Sequence, residues 1–150
     1  MASSLITGAV SLLLIIIAGY VIATGILMVA ETTVMTQIDV TAANEQLLQS
    51  SIQITSSEYE DPELTLIIKN TGNFVYGNNS FDKMDLYIFT STGMKKYGND
   101  NFSYVFLNDT INKKMWDPSE NISVNISGIG APLWVKFVTS NGAFSSLNIE

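Results

Sequence analysis

The chain has 150 residues, with seven lysines, no arginine, fourteen carboxylates, no histidine, no cysteine and a net charge of −7. These counts exclude an imidazole base, a His or thiolate metal ligand, a thiol nucleophile and a disulfide framework. An acidic chain without arginine also has little with which to neutralise phosphates, so nucleic acid is not an expected partner. No catalytic residue, cofactor, metal or small-molecule substrate is expected, and whatever body the chain forms must be held by its core.

No charged side chain occurs before Glu31. The run from Leu5 to Ala30 is uninterruptedly apolar, and at 1.5 Å per residue it reaches roughly 39 Å, against a hydrocarbon core of about 30 Å. Residues 1–30 are therefore expected to be a transmembrane anchor helix. A buried helix in a soluble domain is the alternative, and a body of this size has little room to hide so long an uncharged segment. No Lys or Arg precedes the apolar run, unlike the basic n-region of a cleaved signal, so the helix is expected to be retained. Gly19 and Ala23, at small-x-x-x-small spacing, are the candidate helix-packing residues.

Residues 31–50 follow as a helical stalk. Val34, Ile38, Ala42, Leu47 and Leu48 recur at roughly helical spacing among polar residues, and a helix from Leu5 to about Gln49 would extend roughly 68 Å. So sparse an apolar stripe needs something to pack against, either its own β domain or neighbouring stalks. A flexible linker is the alternative.

From Ser51 the period changes to two. Leu64, Leu66 and Ile68 share one face of a strand, as do Met84, Leu86 and Ile88 opposite Tyr87 and Phe89, and Ile122, Val124 and Ile126 opposite Ser123 and Asn125. Leu133–Thr139 and Phe144–Ile149 flank Asn141-Gly142, a strong hairpin signal. Shorter strands are expected at Ile52–Thr55, Asn73–Tyr76, Met94–Tyr97 and Ser103–Leu107. Turn signals every 8 to 12 residues or so complete the pattern of an Ig-like, all-β antiparallel sandwich over residues 51–150. The fold class is thus a single N-terminal transmembrane helix with an amphipathic stalk, followed by a β-sandwich.

With the first lysine at Lys69, basic residues near the span do not orient it. Sequons do. Asn78, Asn101, Asn108, Asn121 and Asn125 each head an N-x-S/T acceptor, and N-linked sugar is added only to exported chain. The β domain is accordingly expected to be extracytoplasmic and glycosylated, although a chain rich in Asn, Ser and Thr produces some matches by chance. Asn121 and Asn125 would share the solvent side of one strand.

Partner-binding residues are sought among aromatics in or beside predicted loops, since interface centres favour Tyr, Trp and Phe. Tyr97, Phe102, Tyr104 and Trp116 are the candidates, whereas Trp134 and Phe137 are assigned to the core. Glu58, Glu60, Asp61 and Glu63 form an expected acidic loop around Tyr59 and Pro62, whose spacing fits no Ca²⁺ signature. An enzyme using Asp82 and Asp85 would require a cleft that nothing here indicates.

Met1 to Leu5, the span to Ala30, Leu66 to Gly72 (LIIKNTG), Phe81 to Phe89 (FDKMDLYIF) and Trp116 to Ile122 (WDPSENI) together carry a resemblance. The chain resembles archaeal type IV pilin-like proteins, and within them the accessory proteins of the archaeal flagellum (archaellum), the FlaF and FlaG type. The Trp116 to Ile122 segment is similar to a W-x-P-G-E segment, with Ser119 where glycine is usual. The resemblance implies an archaellin-like sandwich and a stator role: anchored in the cell membrane as a single-pass protein, crossing the pseudoperiplasm, and gripping the surface layer or a partner stator protein. It also implies homo- or hetero-oligomers. Filament-forming relatives carry a basic, cleavable leader that is not seen here, so a filament subunit assembled through the N-terminal helix stands as the alternative.

Overall fold

The computed structural model describes residues 2–149. Met1, which belongs to the expected anchor and to the resemblance, and Glu150, the end of the expected β domain, lie outside the described residues. The chain divides into two compact units, Met1–Ala42 and Ala43–Glu150.

A single helix, α1, runs from Ala2–Gln49 without a break, so the segment expected as stalk or linker is helical. None of its residues is buried, and its apolar window is long and hydrophobic enough to cross a membrane. Its threonine hydroxyls are satisfied internally: Thr7, Thr24, Thr32, Thr33, Thr36 and Thr41 each donate from Oγ1 to the carbonyl four residues back, at 2.8 to 3.0 Å. This is how a Thr-containing helix avoids presenting unpaired polar groups to an apolar solvent.

The second unit carries eight antiparallel strands. They are β1 (Ile52–Glu60), β2 (Glu63–Asn70), β3 (Asp85–Thr90), β4 (Gly93–Gly98), β5 (Ser103–Phe106), β6 (Asn121–Ser127), β7 (Pro132–Val138) and β8 (Phe144–Asn148). A one-turn helix, α2, spans Asn78–Phe81. The first sheet has the order β1-β2-β6-β5 and the second β4-β3-β7-β8.

Register follows the apolar pattern. Leu64, Leu66 and Ile68 of β2 face Ile126, Val124 and Ile122 of β6, while Leu86 and Ile88 of β3 face Phe137 and Val135 of β7. All ten are buried in one core with Met84, Phe81, Tyr76 and Trp116. A one-residue slip in either pairing would turn these rows to solvent, so burial pins the register.

Three sequence expectations change. Asn73–Tyr76 is not a strand: its only ladder contact is a single bridge from Tyr76 to Trp116. The acidic segment is not a loop, because β1 extends through Glu60 after a register shift between Ile54 and Ser56 and meets β2 at Glu63, leaving Asp61-Pro62 as a tight tip. Asn141-Gly142 belongs to a three-residue connection closed by the Thr139 N–H donating to the Ala143 carbonyl at 2.8 Å, with Gly142 at φ +90°.

Candidate interaction surfaces

The end of α1 enters the sandwich through a backbone clasp. Two carbonyls serve as acceptors for four successive N–H groups of the Asn70-Thr71-Gly72 turn and the residues after it. Ser51 O accepts from Thr71 at 2.9 Å and Gly72 at 2.8 Å, and Gln49 O accepts from Asn73 at 2.8 Å and Phe74 at 3.2 Å. Helix termini leave such carbonyls without intrahelical partners, and here the β domain supplies them.

The turn itself is held by fully buried Asn70. Its Nδ2 donates to the carbonyls of Phe74 and Trp116 at 2.8 and 3.1 Å, and its Oδ1 accepts from the Gly72 N–H. Only glycine fits at position 72, where a Cβ would lie 2.5 Å from the Gln49 carbonyl oxygen and clash with the Ser51 nitrogen as well. On the other side, Asn141 donates to the Ser50 hydroxyl while its Oδ1 accepts from Thr139 and Tyr76.

Trp116, expected at a partner surface, belongs to this clasp and not to the exterior. It is fully buried, its indole N–H donates to the Glu120 carbonyl at 3.0 Å, and its ring packs against Tyr76 at a centroid distance of 5.2 Å. Phe102 is likewise buried, edge-on to Phe137. A loop position says nothing of side-chain direction, and both rings belong to the core cluster. Tyr97 and Tyr104 are half-buried against the core. Tyr104 stacks on Phe81 at 4.2 Å, and burial, with Asp82 nearby, raises its hydroxyl above the ordinary range.

The exposed aromatics of the sandwich lie elsewhere, on the outer face of the second sheet. The cross-strand rows there are read from the register. Met94 and Trp134 flank Phe89, with Asn148 beyond; Lys96 and Lys136 flank Tyr87, with Ser146 beyond; Val138 pairs with Asp85 and Phe144. Phe89 is 42% exposed, Met94 63% and Phe144 58%. The Lys136 ammonium sits 3.9 Å from the Phe144 ring centroid, a cation–π contact, and Lys96 pairs with Asp85 at 2.9 Å. That partner raises Lys96 above the usual lysine value. Trp134, assigned to the core from sequence, is half-exposed here, because Val135 and Phe137 point inward and their neighbours Trp134 and Lys136 must point out. Tyr87 and Phe89 lie opposite buried Leu86 and Ile88, on the face that their alternation assigns them.

The first sheet presents a different outer face, with Thr65, Asn121, Ser123, Asn125 and Ser103 in register. The sequon residues Asn121 and Asn125 are half-exposed on this side, and Asn78, Asn101 and Asn108 are exposed. Asn78 Oδ1 accepts from the Tyr104 hydroxyl at 3.5 Å. Gly19 and Ala23 lie on the exposed helix, and a Cβ at Gly19 would meet nothing within 4 Å.

No protein-family model and no curated protein matches the sequence. Among solved structures, the archaellum periplasmic stator protein FlaG from Sulfolobus acidocaldarius aligns with 67% of this chain and 99% of its own, at 13% identity and a TM-score of 0.52. The complex of FlaF and FlaG from the same organism aligns with 66% of this chain and 88% of the matched chain, at 15% identity and a TM-score of 0.50. The β-sandwich following α1 therefore has the fold of the archaellum stator protein FlaG.

Proposed function

We propose that this chain is a membrane-anchored, non-enzymatic stator component of the archaellum. Its helix spans the cell membrane once, its sandwich stands on the extracytoplasmic side, and the head grips the surface layer or a partner stator protein. The observation that carries this reading is the pairing of a FlaG-like sandwich with a helix that is apolar on every side from Leu5 to Ala30 and has no buried residue. A helix apolar all round needs a hydrocarbon environment or other helices. The backbone clasp supports the same reading, because a head that must resist torque cannot hang from a slack linker.

The five sequons support an extracytoplasmic head, with Asn78, Asn101, Asn108, Asn121 and Asn125 as the acceptors. Gly19 and Ala23 are proposed as a packing stripe between spans, a role that requires the association of two or more copies in the membrane.

Protease added to intact cells of the native host tests the reading. The head should be digested while the span stays with the membrane fraction, and detergent extracts should retain the chain together with archaellum components. Protection of the head in intact cells refutes the topology. Recovery of the chain in sheared extracellular filaments refutes the stator role and favours the filament-subunit reading.

A further inference from the structure

We propose that Asn101 and Asn108 carry N-linked sugars that screen the open edge of β5, the edge of the sandwich that has no protection of its own. Such sugars are added only to exported chain, so this assignment rests on the extracytoplasmic reading of the head.

Two four-stranded sheets have four edges, and three of them are guarded. β1 and β8 lie side by side, with the Ile54 N–H donating to the Ser145 hydroxyl at 3.0 Å. β4 carries Lys95 and Lys96, and charged side chains on an edge, lysine above all, deter a further strand from pairing. β5 has neither device. Among the described residues it pairs with β6 alone, and no backbone bond from a turn or loop reaches residues 103–106. Val105 and Leu107 are exposed there.

The sequence of this strand makes the open edge a hazard. Phe102 to Leu107 (FSYVFL) is aromatic or aliphatic at every position but one, with no charge, no proline and no glycine. Such a run on an open edge is a template for strand addition and aggregation. Sequences that cannot avoid one place gatekeeper residues on its flanks. Here each flank is a sequon asparagine: Asn101 directly precedes the run and Asn108 directly follows it. They stand at most roughly 24 Å apart along an extended chain, so each sugar has about 12 Å of edge to screen.

Both positions are open to modification. Asn101 and Asn108 are exposed, and among the described residues neither side chain has a hydrogen bond to lose. By contrast, Asn78 accepts from Tyr104 and Asn125 from Ser123, and Asn121 and Asn125 lie on β6 between two paired strands. In the reaction the carboxamide nitrogen bonds to the anomeric carbon of a polyprenyl-phosphate-linked oligosaccharide. That carbon's bond to the phosphate oxygen breaks, the lipid phosphate leaves, and the amide proton passes to a base of the transferase. A bulky, solubilising group then stands at each end of the edge.

The lysines make the test direct. Trypsin divides the sequons among three peptides: 70–83 with Asn78, 97–113 with Asn101 and Asn108, and 115–136 with Asn121 and Asn125. Mass spectrometry of the full-length chain purified from membranes of its native host should find peptide 97–113 carrying two sugars; fewer than two overturns the proposal. Sugar on none of the three peptides refutes the extracytoplasmic reading as well, whereas sugar on the other two alone leaves that reading standing. The screening itself is read from the full-length Asn101→Gln/Asn108→Gln chain in detergent, which should aggregate about tenfold faster than the parent. The Asn121→Gln/Asn125→Gln chain should keep the parental rate. Val105 is exposed, so Val105→Lys leaves the core intact; added to the first variant, it charges the bare edge and should restore the parental rate. An Asn101→Gln/Asn108→Gln chain that stays dispersed, a control that aggregates as fast, or aggregation indifferent to Val105→Lys overturns the screening role.

Discussion

Replacing Gly72 by alanine attacks the clasp at one atom. The new Cβ would lie 2.5 Å from the Gln49 carbonyl oxygen and 3.0 Å from the Ser50 carbonyl carbon, both backbone atoms that cannot swing aside as a side chain would. Relief requires the turn to retreat from residues 49–51, which stretches the Thr71 and Gly72 bonds to Ser51 and those of Asn73 and Phe74 to Gln49. Each such bond contributes about 0.5–1.5 kcal/mol net, so losing two or three costs about 2–4 kcal/mol. Reduced backbone freedom in the unfolded chain returns about 0.4–1 kcal/mol. The net loss is about 2 kcal/mol, and for a domain of this size the melting temperature should fall by roughly 10 °C. The near-ultraviolet signal of buried Trp116, followed through thermal unfolding of the full chain in detergent, reports the head without interference from the helix. Gly130→Ala is the control, since a Cβ there meets nothing within 4 Å. Hydrogen exchange at residues 71–74 should quicken in Gly72→Ala alone. A Gly72→Ala protein that melts within about 2 °C of the control, with those amides still protected, refutes the steric account.

Three further outcomes follow from the same reasoning. Ser119 occupies φ +70° at the third position of the Asp117-Pro118-Ser119-Glu120 turn, closed by a 3.2 Å bond from the Glu120 N–H to the Asp117 carbonyl. A non-glycine residue there costs about 1–2 kcal/mol, more than the roughly 0.5–1 kcal/mol of unfolded-state entropy that glycine adds. Ser119→Gly should therefore raise stability by about 0.5–1 kcal/mol, and denaturant titration showing a loss would contradict the strained-turn reading. Leu66→Ala opens the centre of the core, where Leu66 has no exposed surface; chemical denaturation should register a loss of about 2–5 kcal/mol, and one below about 1 would place Leu66 outside the packed centre. Alkaline pH is the third. Desolvation and then the Asp61 bond raise Tyr59, and Asp85 raises Lys96. A group whose folded value is raised contributes fully below its unfolded value, near pH 10, and loses that contribution as pH climbs through the folded value. Melting temperature should drop between about pH 10 and 12, less steeply in Tyr59→Phe, and a flat profile over that range would refute the linkage.

The core faces were legible because alternation is a physical constraint on a strand with one dry side. Leu64, Leu66 and Ile68, Met84, Leu86 and Ile88, and Ile122, Val124 and Ile126 are all buried as their spacing requires. The same rule separates Trp134 from Phe137, which are three residues apart on one strand and cannot share a face, whereas size and hydrophobicity alone assign both to the core. Loop aromatics were illegible for a different reason. Trp116 and Phe102 lie beyond any periodic segment, and their burial depends on Tyr76, Phe81 and Phe137, which come from distant positions in the chain. The clasp was half-visible. Its Asn-Thr-Gly turn stood out in the sequence, but that Gly72 packs against Gln49 and Ser51 follows only from the fold. Ser119 shows local physics agreeing with pattern, since the position where the resembling segment has glycine is one with positive φ.

How the head is joined to its helix bears on what the molecule can do. Two residues, Ser50 and Ser51, separate the end of α1 from the start of β1. A flexible connection of a few polar residues would let a head reorient freely and pass on no twisting moment. Here the carbonyls of Gln49 and Ser51 and the hydroxyls of Ser50 and Ser51 all bond to the β2 turn or to Asn141. Turning the head about its last helical turn must break several of these at once, and because one rigid turn holds them, they fail together. The two β-segments involved lie on different sheets: Asn70 ends β2 in the first, and Asn141 links β7 to β8 in the second. Load entering at Gln49 is thus divided between both sheets and does not peel one from the other. The measured softness of a Gly72→Ala head under applied twist would decide how much of the resistance at residues 49–51 the clasp supplies.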